Sequence, residues 1–391
     1  MMADARPPVL TLPQLFWRFL RFGFNAFGGP VAQIAMIREA LVERERWIEP
    51  ARFNRLLGVM QVLPGPEAHE LCVHMGMLAR GRIGGLLAGL GFMLPGLVLM
   101  MVAAAAYTAL VEGRAGFEGV LLGVQAAVLA VIVRAVWRIG RHVLAERVAV
   151  GLALIAFAAT LAGVPFWLLL IAAGLASALA TRVAAVLMPV ALAAIAGLWL
   201  PGVGPGPAPS AASAASLAAL FVAGLKGGLL TFGGAYTAIP YVRADTVGRG
   251  WLSDGAFLDG VAVAGLLPAP LVIFATFAGY VAGGPAGALA ITAGMFLPAF
   301  AFSMIFFERL EAVVADPRLH RTLDGVAAAV VGIIAATVVD LAIGTATRTP
   351  APVATAAIFA VAAVAAWRLK GSWVTPALVA GGAAIGSLAI R

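Results

Sequence analysis

Glu67, His69, Glu70 and His74 crowd into LPGPEAHELCVH (63–74), inside a run that is otherwise apolar from Leu56 to Leu78. On a helix Glu67 and Glu70 share a face, and Glu70 and His74 stand four apart on that same face. Carboxyls and imidazoles placed together in a membrane cavity form a proton relay, because burial favours the neutral carboxyl and imidazole changes charge near neutral pH. Glu67, His69, Glu70 and His74 are therefore the proton-coupling candidates. Two plainer readings stay open: Glu67 as an early-turn partner of the helix dipole, and His74 as a hydrogen-bonded core residue. Metal binding is the weaker chemistry. The lone Cys72 builds no thiolate site, and the matching stretch of the second half, LVIFATF, carries no ionisable group.

The acids sit beside a break. Pro64, Gly65 and Pro66 end a helix, because proline lacks an N–H and clashes with the preceding turn. LPAP, with Pro268 and Pro270, repeats the device, and FGGPV (27–31) and FGGAY (232–236) add two more breaks. Freed main-chain groups in hydrocarbon need a polar cavity or protein partners, and a restarting helix offers N–H groups and positive dipole to an anion. Arg21 and Lys226 hold matching places six residues before FGG, where buried cations suit an anionic substrate; the alternative is that they snorkel to the headgroups. The expected substrate site is Arg21, Asn25, Phe27, Gly28, Gly29, Pro30, Pro64, Gly65 and Pro66 from the first half. From the second half it takes Lys226, Thr231, Phe232, Gly233, Gly234, Tyr236, Pro268 and Pro270. Helix packing and kinking would explain any single break equally well; the ordered set favours a site.

The composition places these elements in a bilayer. Hydrophobic residues make up 62% and charged residues 11%, with a mean hydropathy of +1.02, whereas soluble domains carry about 25% charged residues. Gly84 to Tyr107, Val148 to Ser177 and Gly287 to Phe307 each reach the ~20 residues that cross hydrocarbon. An all-α polytopic membrane protein of roughly 10–12 membrane segments is expected. The net charge of +8 comes from arginine, with Lys226 and Lys370 the only lysines. Arginines between apolar spans fit positive-inside topology rather than nucleic-acid binding. MMADARPPVLTLPQLFWRF shows no cleavable signal peptide, so the first span is expected to stay. The Ala- and Arg-rich composition suggests a bacterial cytoplasmic membrane. An enzyme would need a clustered nucleophile or metal set, yet there are four histidines, two of them (His142 and His320) in loops. Asp259 is read as a helix cap, Asp340 as interfacial, and residues 38–55 as an amphipathic segment on the membrane surface.

The break points recur in order. RFGFNAFGG aligns with KGGLLTFGG, Arg38 with Arg243, Trp47 with Trp251, LPGP with LPAP, and Gly76, Gly81 and Gly84 with Gly279, Gly284 and Gly287. Two homologous repeats, 1–199 and 217–391, are expected around a Pro/Gly/Ser linker, 200–216. Basic residues after the fourth span (Arg134, Arg138, Arg141, Arg147) have near-neutral counterparts in the second copy. The loop after the third span is instead charged there, at Arg309, Arg318 and Arg321. The charge swaps sides, as inverted-topology repeats with discontinuous helices require.

FGFNAFGGPVAQIAMI, ERERWI and LPGPEAHELCVHMG resemble the first half of the chromate ion transporter family. FGGAYTAIPYVR, GWLSDGAFLDGVAV and LPAPLVIFATFAGY are similar to its second half. The resemblance covers most of the chain outside the linker and C-terminus. It implies two fused domains of opposite orientation, and export of chromate driven by the proton-motive force, giving chromate resistance. No cofactor and no metal are expected. PAP stands where PGP is usual, and an alanine there is expected to hinder backbone approach. Sulfate or a related oxyanion, and a passive anion channel, are the rival readings, and the pattern leaves room for a homodimer.

Overall fold

The computed structural model describes residues 7–27, 29–60, 63–110, 117–179, 183–199, 215–231, 235–305, 317–369, 371 and 373–390. Linker residues 200–214 lie outside them. Among the described residues the chain is helical and has no strand. In the first half α1 (Leu12–Phe24), α2 (Gly29–Arg38) and α3 (Pro50–Met60) precede the long α4 (Glu67–Leu110). They are followed by α5 (Glu118–Val143), α6 (Arg147–Leu161), α7 (Phe166–Leu179) and α8 (Val183–Trp199). The second half runs α9 (Leu217–Leu229), α10 (Ile239–Thr246), α11 (Asp254–Leu266), α12 (Phe274–Ile305), α13 (Pro317–Arg348), α14 (Pro352–Arg368) and α15 (Val374–Ala389). Among the described residues four helical stretches are long and apolar enough to cross a membrane, and shorter apolar helices accompany them.

Each half opens the same way. Thr11 caps α1 in a box with Gln14, and Ser216 caps α9 by accepting from the Ala219 amide. Both helices run 13 residues, about 20 Å, which is short of a full crossing. α4 and α12 are then folded on themselves. Arg80 (φ −145°, ψ 29°) and Gly81 (φ 61°, ψ −157°) leave the helix, and so do Gly283 (φ −152°, ψ 23°) and Gly284 (φ 63°, ψ −160°). The positive φ at Gly81 and Gly284 is one that glycine adopts without steric cost. The arms close tightly: Gly76 lies on the Gly84 backbone, and Gly279 on Gly287. The first arm of α4 (67–79) is thus a half-depth element ending at the PGP break, and the second arm (82–110) is the membrane-length one.

A second close contact is also made twice. Gly23 of α1 presses on the Phe92 carbonyl and Pro95 ring of α4, while Gly228 of α9 presses on the Met295 carbonyl and Pro298 ring of α12. In return Gly91 meets the Phe16 carbonyl, and Gly294 meets that of Phe221. The later helices trade partners between halves: α6 and α7 pack on α13, while α14 and α15 pack on α5. The halves are joined by exchange as well as by contact.

Four expectations are corrected. His142 and His320 stand on α5 and α13 rather than in loops. Arg134, Arg138 and Arg141 belong to the last turns of α5 rather than to a connection, an arrangement that lets long basic side chains reach the headgroups from a helix end. Asp259 lies mid-way along α11, whose cap is Ser253. Within 38–55, Trp47 and Ile48 are buried. Trp47 stands edge-on to Phe19 at 6.3 Å and under the Arg18 guanidinium at 5.2 Å, so this segment is tied into the first-half core.

Because Gly294 packs backbone to backbone, Gly294→Leu forces α9 and α12 apart and is expected to cost at least about 1–3 kcal/mol. Gly344→Ala adds a methyl where no atom lies within 4 Å and should be neutral. Melting temperatures of the two purified proteins in detergent check the contrast.

Candidate functional site

The breaks of each half are completed by the other half. The Gly65 N–H, between the two prolines, donates to the Thr231 carbonyl at 2.9 Å, just before the second FGG. On the mirrored side Gln33 of α2, fully buried, donates from one amide nitrogen to the Ala26 carbonyl at 2.8 Å and the Ala269 carbonyl at 2.9 Å. It thereby ties the first FGG break to the PAP break. Pro64, Gly65, Pro66, Pro268 and Pro270 are all buried. Gly28, Phe232, Gly233 and Gly234 fall outside the described residues.

The fit is reciprocal at the level of single methyl groups. Gly65 adopts φ 144°, and a Cβ there would stand 3.1 Å from the Ala299 Cβ of α12. On the other side Ala269 occupies the matching place, and its methyl lies against Gly96 of α4. Where the break carries glycine its partner helix carries alanine, and where the break carries alanine the partner carries glycine. The alanine of PAP therefore does not hold the backbones apart, because Gly96 accommodates it.

The acidic cluster lies directly under the PGP break. Glu70 is fully buried, and a Cβ on Gly65 would come within 2.6 Å of Glu70 Oε1. Neither Glu70 oxygen has a hydrogen-bond partner among the described residues. Glu67, one turn earlier, is 7% exposed. The His69 ring sits edge-on between Phe296 and Phe300 of α12, with centroids 5.0 and 4.6 Å away. It also lies beside the Gly89 carbonyl, though without a hydrogen bond of ordinary geometry. His74 is buried further along the same arm, within electrostatic reach of Arg52 on α3. The four candidates thus share one buried arm, and His69 touches the opposite half.

The cations stand apart from them. Lys226 Nζ donates to Asp245 at 2.7 Å, and Arg249 donates to the other oxygen of the same carboxylate at 3.1 Å. The trio keeps one net positive charge. Arg21 is exposed at the end of α1, where Asn25 donates to its carbonyl at 2.7 Å and so closes the helix. Phe27 is exposed, Gly29 (φ 77°) and Pro30 open α2, and the Thr231 hydroxyl returns to the Gly227 carbonyl at 2.6 Å. Tyr236 sits in the short 3₁₀ turn Ala235–Ala238. Sequence reasoning missed Gln33 and Asp245. Gln33 gave a usable signal, as a primary amide inside the apolar run VAQIAMI.

Among the described residues no three His, Cys, Asp or Glu side chains are placed to hold a metal ion. A helical, multi-pass chain of two like halves, with broken helices sealed across the pair, has the architecture of a membrane transport protein rather than an enzyme. The chromate transporter family model matches it twice, over residues 13–178 and 218–387. A chromate transport protein of Pseudomonas aeruginosa is 55% identical, covering 97% of this chain and 93% of its own length. One from Cupriavidus metallidurans is 30% identical, covering 98% and 94%, and a probable chromate transport protein of Synechococcus elongatus is 30% identical over 85% of each. The chain belongs to the chromate transporter family and is a multi-pass protein of the bacterial inner membrane. No solved structure is significantly similar to it.

The glycine–alanine exchange defines a double-mutant cycle. Gly96→Ala places a methyl against that of Ala269 and is expected to lower stability by about 1–3 kcal/mol. Ala269→Gly in the same protein should recover most of that loss, a coupling that independent sites would not show. Thermal unfolding of the wild type, the two single variants and the double variant measures it.

Proposed function

We propose that this protein exports chromate from the cytoplasm as a secondary active transporter, coupled to the proton-motive force, and so confers chromate resistance. Its two halves are taken to be inverted in the bilayer. The anion binds where the four breaks converge and reaches either side as one half rocks against the other. The observation that carries this reading is the pair of cross-half hydrogen bonds to main-chain carbonyls, from the Gly65 amide to Thr231 and from the Gln33 side chain to Ala269. Two discontinuous helices from each half are held at one level by bonds that a rocking motion would remake.

The substrate site in this reading comprises Asn25, Phe27, Gly28, Gly29, Pro30, Pro64, Gly65 and Pro66 with Thr231, Phe232, Gly233, Gly234, Tyr236, Pro268 and Pro270. Arg21 and the Lys226–Arg249–Asp245 cluster supply the positive field. Glu67, His69, Glu70 and His74 carry the proton. Support for their role comes from burial beneath the break, from the unpartnered Glu70 carboxyl, and from their absence at the PAP break, where one of two like sites suffices for coupling. The basic end of α5 faces the cytoplasm by the positive-inside rule.

Glu70→Gln keeps the shape and removes the titrating group. In proteoliposomes it should abolish uphill chromate accumulation driven by an imposed pH gradient while leaving chromate–chromate exchange within a few-fold of wild type. Arg21→Ala together with Lys226→Ala should lower both by about tenfold or more, the scale of one or two lost charge-assisted bonds. Chromate that merely equilibrates in the wild type, with no uphill accumulation under the imposed pH gradient, would reduce the protein to a passive conductor. Equal flux in the double variant would remove the two cations from the site.

A further inference from the structure

Along α5, Gln125 precedes Val128, Val131 and Ile132, and Arg134 and Arg138 follow them toward the C-terminal end of the helix. Val128, Val131 and Ile132 form one wall of a cleft whose other walls include Val261 and Ala262 of α11 and Thr375 of α15. Tyr236, just past the second FGG, and Leu271, directly after Pro270, also line it. Residues that follow each break of the second half thus border the cleft.

Its two ends differ in charge. At one end the buried Asp259 accepts from the Tyr107 hydroxyl and from Gln125 Nε2, each at 3.0 Å. Gln125 Oε1 in turn accepts from Arg348 at 3.4 Å. Tyr107 and Gln125 belong to the first half, Asp259 and Arg348 to the second. At the other end Arg134 and Arg138 both act electrostatically on Tyr236. Trp137 and Trp367 meet edge-on here at 6.1 Å, and Arg141 lies over Trp137 at 4.9 Å. Both tryptophans are largely exposed, which marks the membrane–water boundary. Arg138 is at that boundary, and Arg134 lies one turn, about 6 Å, further in.

We propose that this cleft is the oxyanion's path to the breaks, entered past Arg134 and Arg138 and closed at its far end by the hydrogen bonds of Asp259. The proposal rests on the transport reading above and adds the route to it. Guanidinium groups offer paired donors that match the oxygens of a tetrahedral anion, and a cleft with low-dielectric walls concentrates their field on an approaching anion. Asp259 presents the opposite sign where the route stops. Because Asp259 belongs to the second half and its donors, Tyr107 and Gln125, to the first, a rocking motion of one half separates them and opens that end.

Calorimetric titration of chromate into the detergent-purified protein tests the entrance without any proton gradient, so it stays decisive even if transport proves uncoupled. Arg134→Gln with Arg138→Gln should weaken binding about tenfold or more and flatten its dependence on salt, and Arg134→Lys with Arg138→Lys should restore most of the affinity. In proteoliposomes Val131→Trp should fill the cleft and stop chromate flux while the protein stays monodisperse and binds no more than a few-fold more weakly. Asp259→Asn should raise chromate leak several-fold. Wild-type affinity in the glutamine pair, or undiminished flux through Val131→Trp, overturns the path; leak unchanged in Asp259→Asn overturns its closure at that end.

Discussion

A main-chain N–H or C=O left bare in hydrocarbon costs several kcal/mol, and this chain interrupts its helices at four places inside an apolar matrix. Some of the groups freed at an interruption are satisfied locally, as where Asn25 donates to the Arg21 carbonyl and the Glu70 amide to that of Pro66. Others are satisfied across the molecule, because proline and glycine have removed the donors or the geometry that a helix would use. The Thr231 carbonyl receives the Gly65 amide, and the carbonyls of Ala26 and Ala269 share one Gln33 nitrogen. Each half thus supplies a partner to a break of the other, and the later helices extend the exchange, α6 and α7 packing on the far half's α13 and α14 and α15 on α5.

Close approach between backbones follows from the same constraint. Apolar side chains gain little by leaving lipid for each other, so helices in a membrane associate through small residues that let main chains touch. The contacts of Gly23, Gly91, Gly228 and Gly294 place ring and carbonyl against bare Cα atoms at equivalent points of both halves. These contacts fix the angle at which α1 meets α4 and α9 meets α12, and so the position at which each FGG break begins. The sharp turns at Gly81 and Gly284 then bring the second break back to that level.

Much of this frame was legible in the sequence, because proline and glycine act locally and leave a local mark. The four breaks, the matching glycines and the doubled order all followed from residue type and spacing. What sequence hid was pairing over distance. Lys226 reads as an isolated cation until Asp245 is folded onto it. Asp259 reads as a cap because its partner Gln125 stands 134 residues away in sequence. Gln33 is one amide in a greasy helix, and nothing local shows that it reaches Ala269. Arg134 and Arg138 read as loop residues because charge usually ends a span, whereas long basic side chains can stay on the helix and reach the boundary from it.

The two breaks resemble each other in backbone and differ in what lies beneath them. Gly65 lacks the Cβ that would strike the Glu70 carboxyl; in the second half Ala269 keeps its methyl, and the place of Glu70 is taken by the buried Phe274. Glycine and carboxyl go together, as do alanine and ring. A carboxyl at both places would set two acids close to one another in a dry interior, where each makes ionisation of the other harder. An anion passing between them would meet repulsion from either one that held its charge. Confining the acids to one half lets the second break keep an apolar floor, with the frame that positions both breaks left unchanged. On the proposed function, the asymmetry follows from placing anion and acid within one small, poorly solvated space.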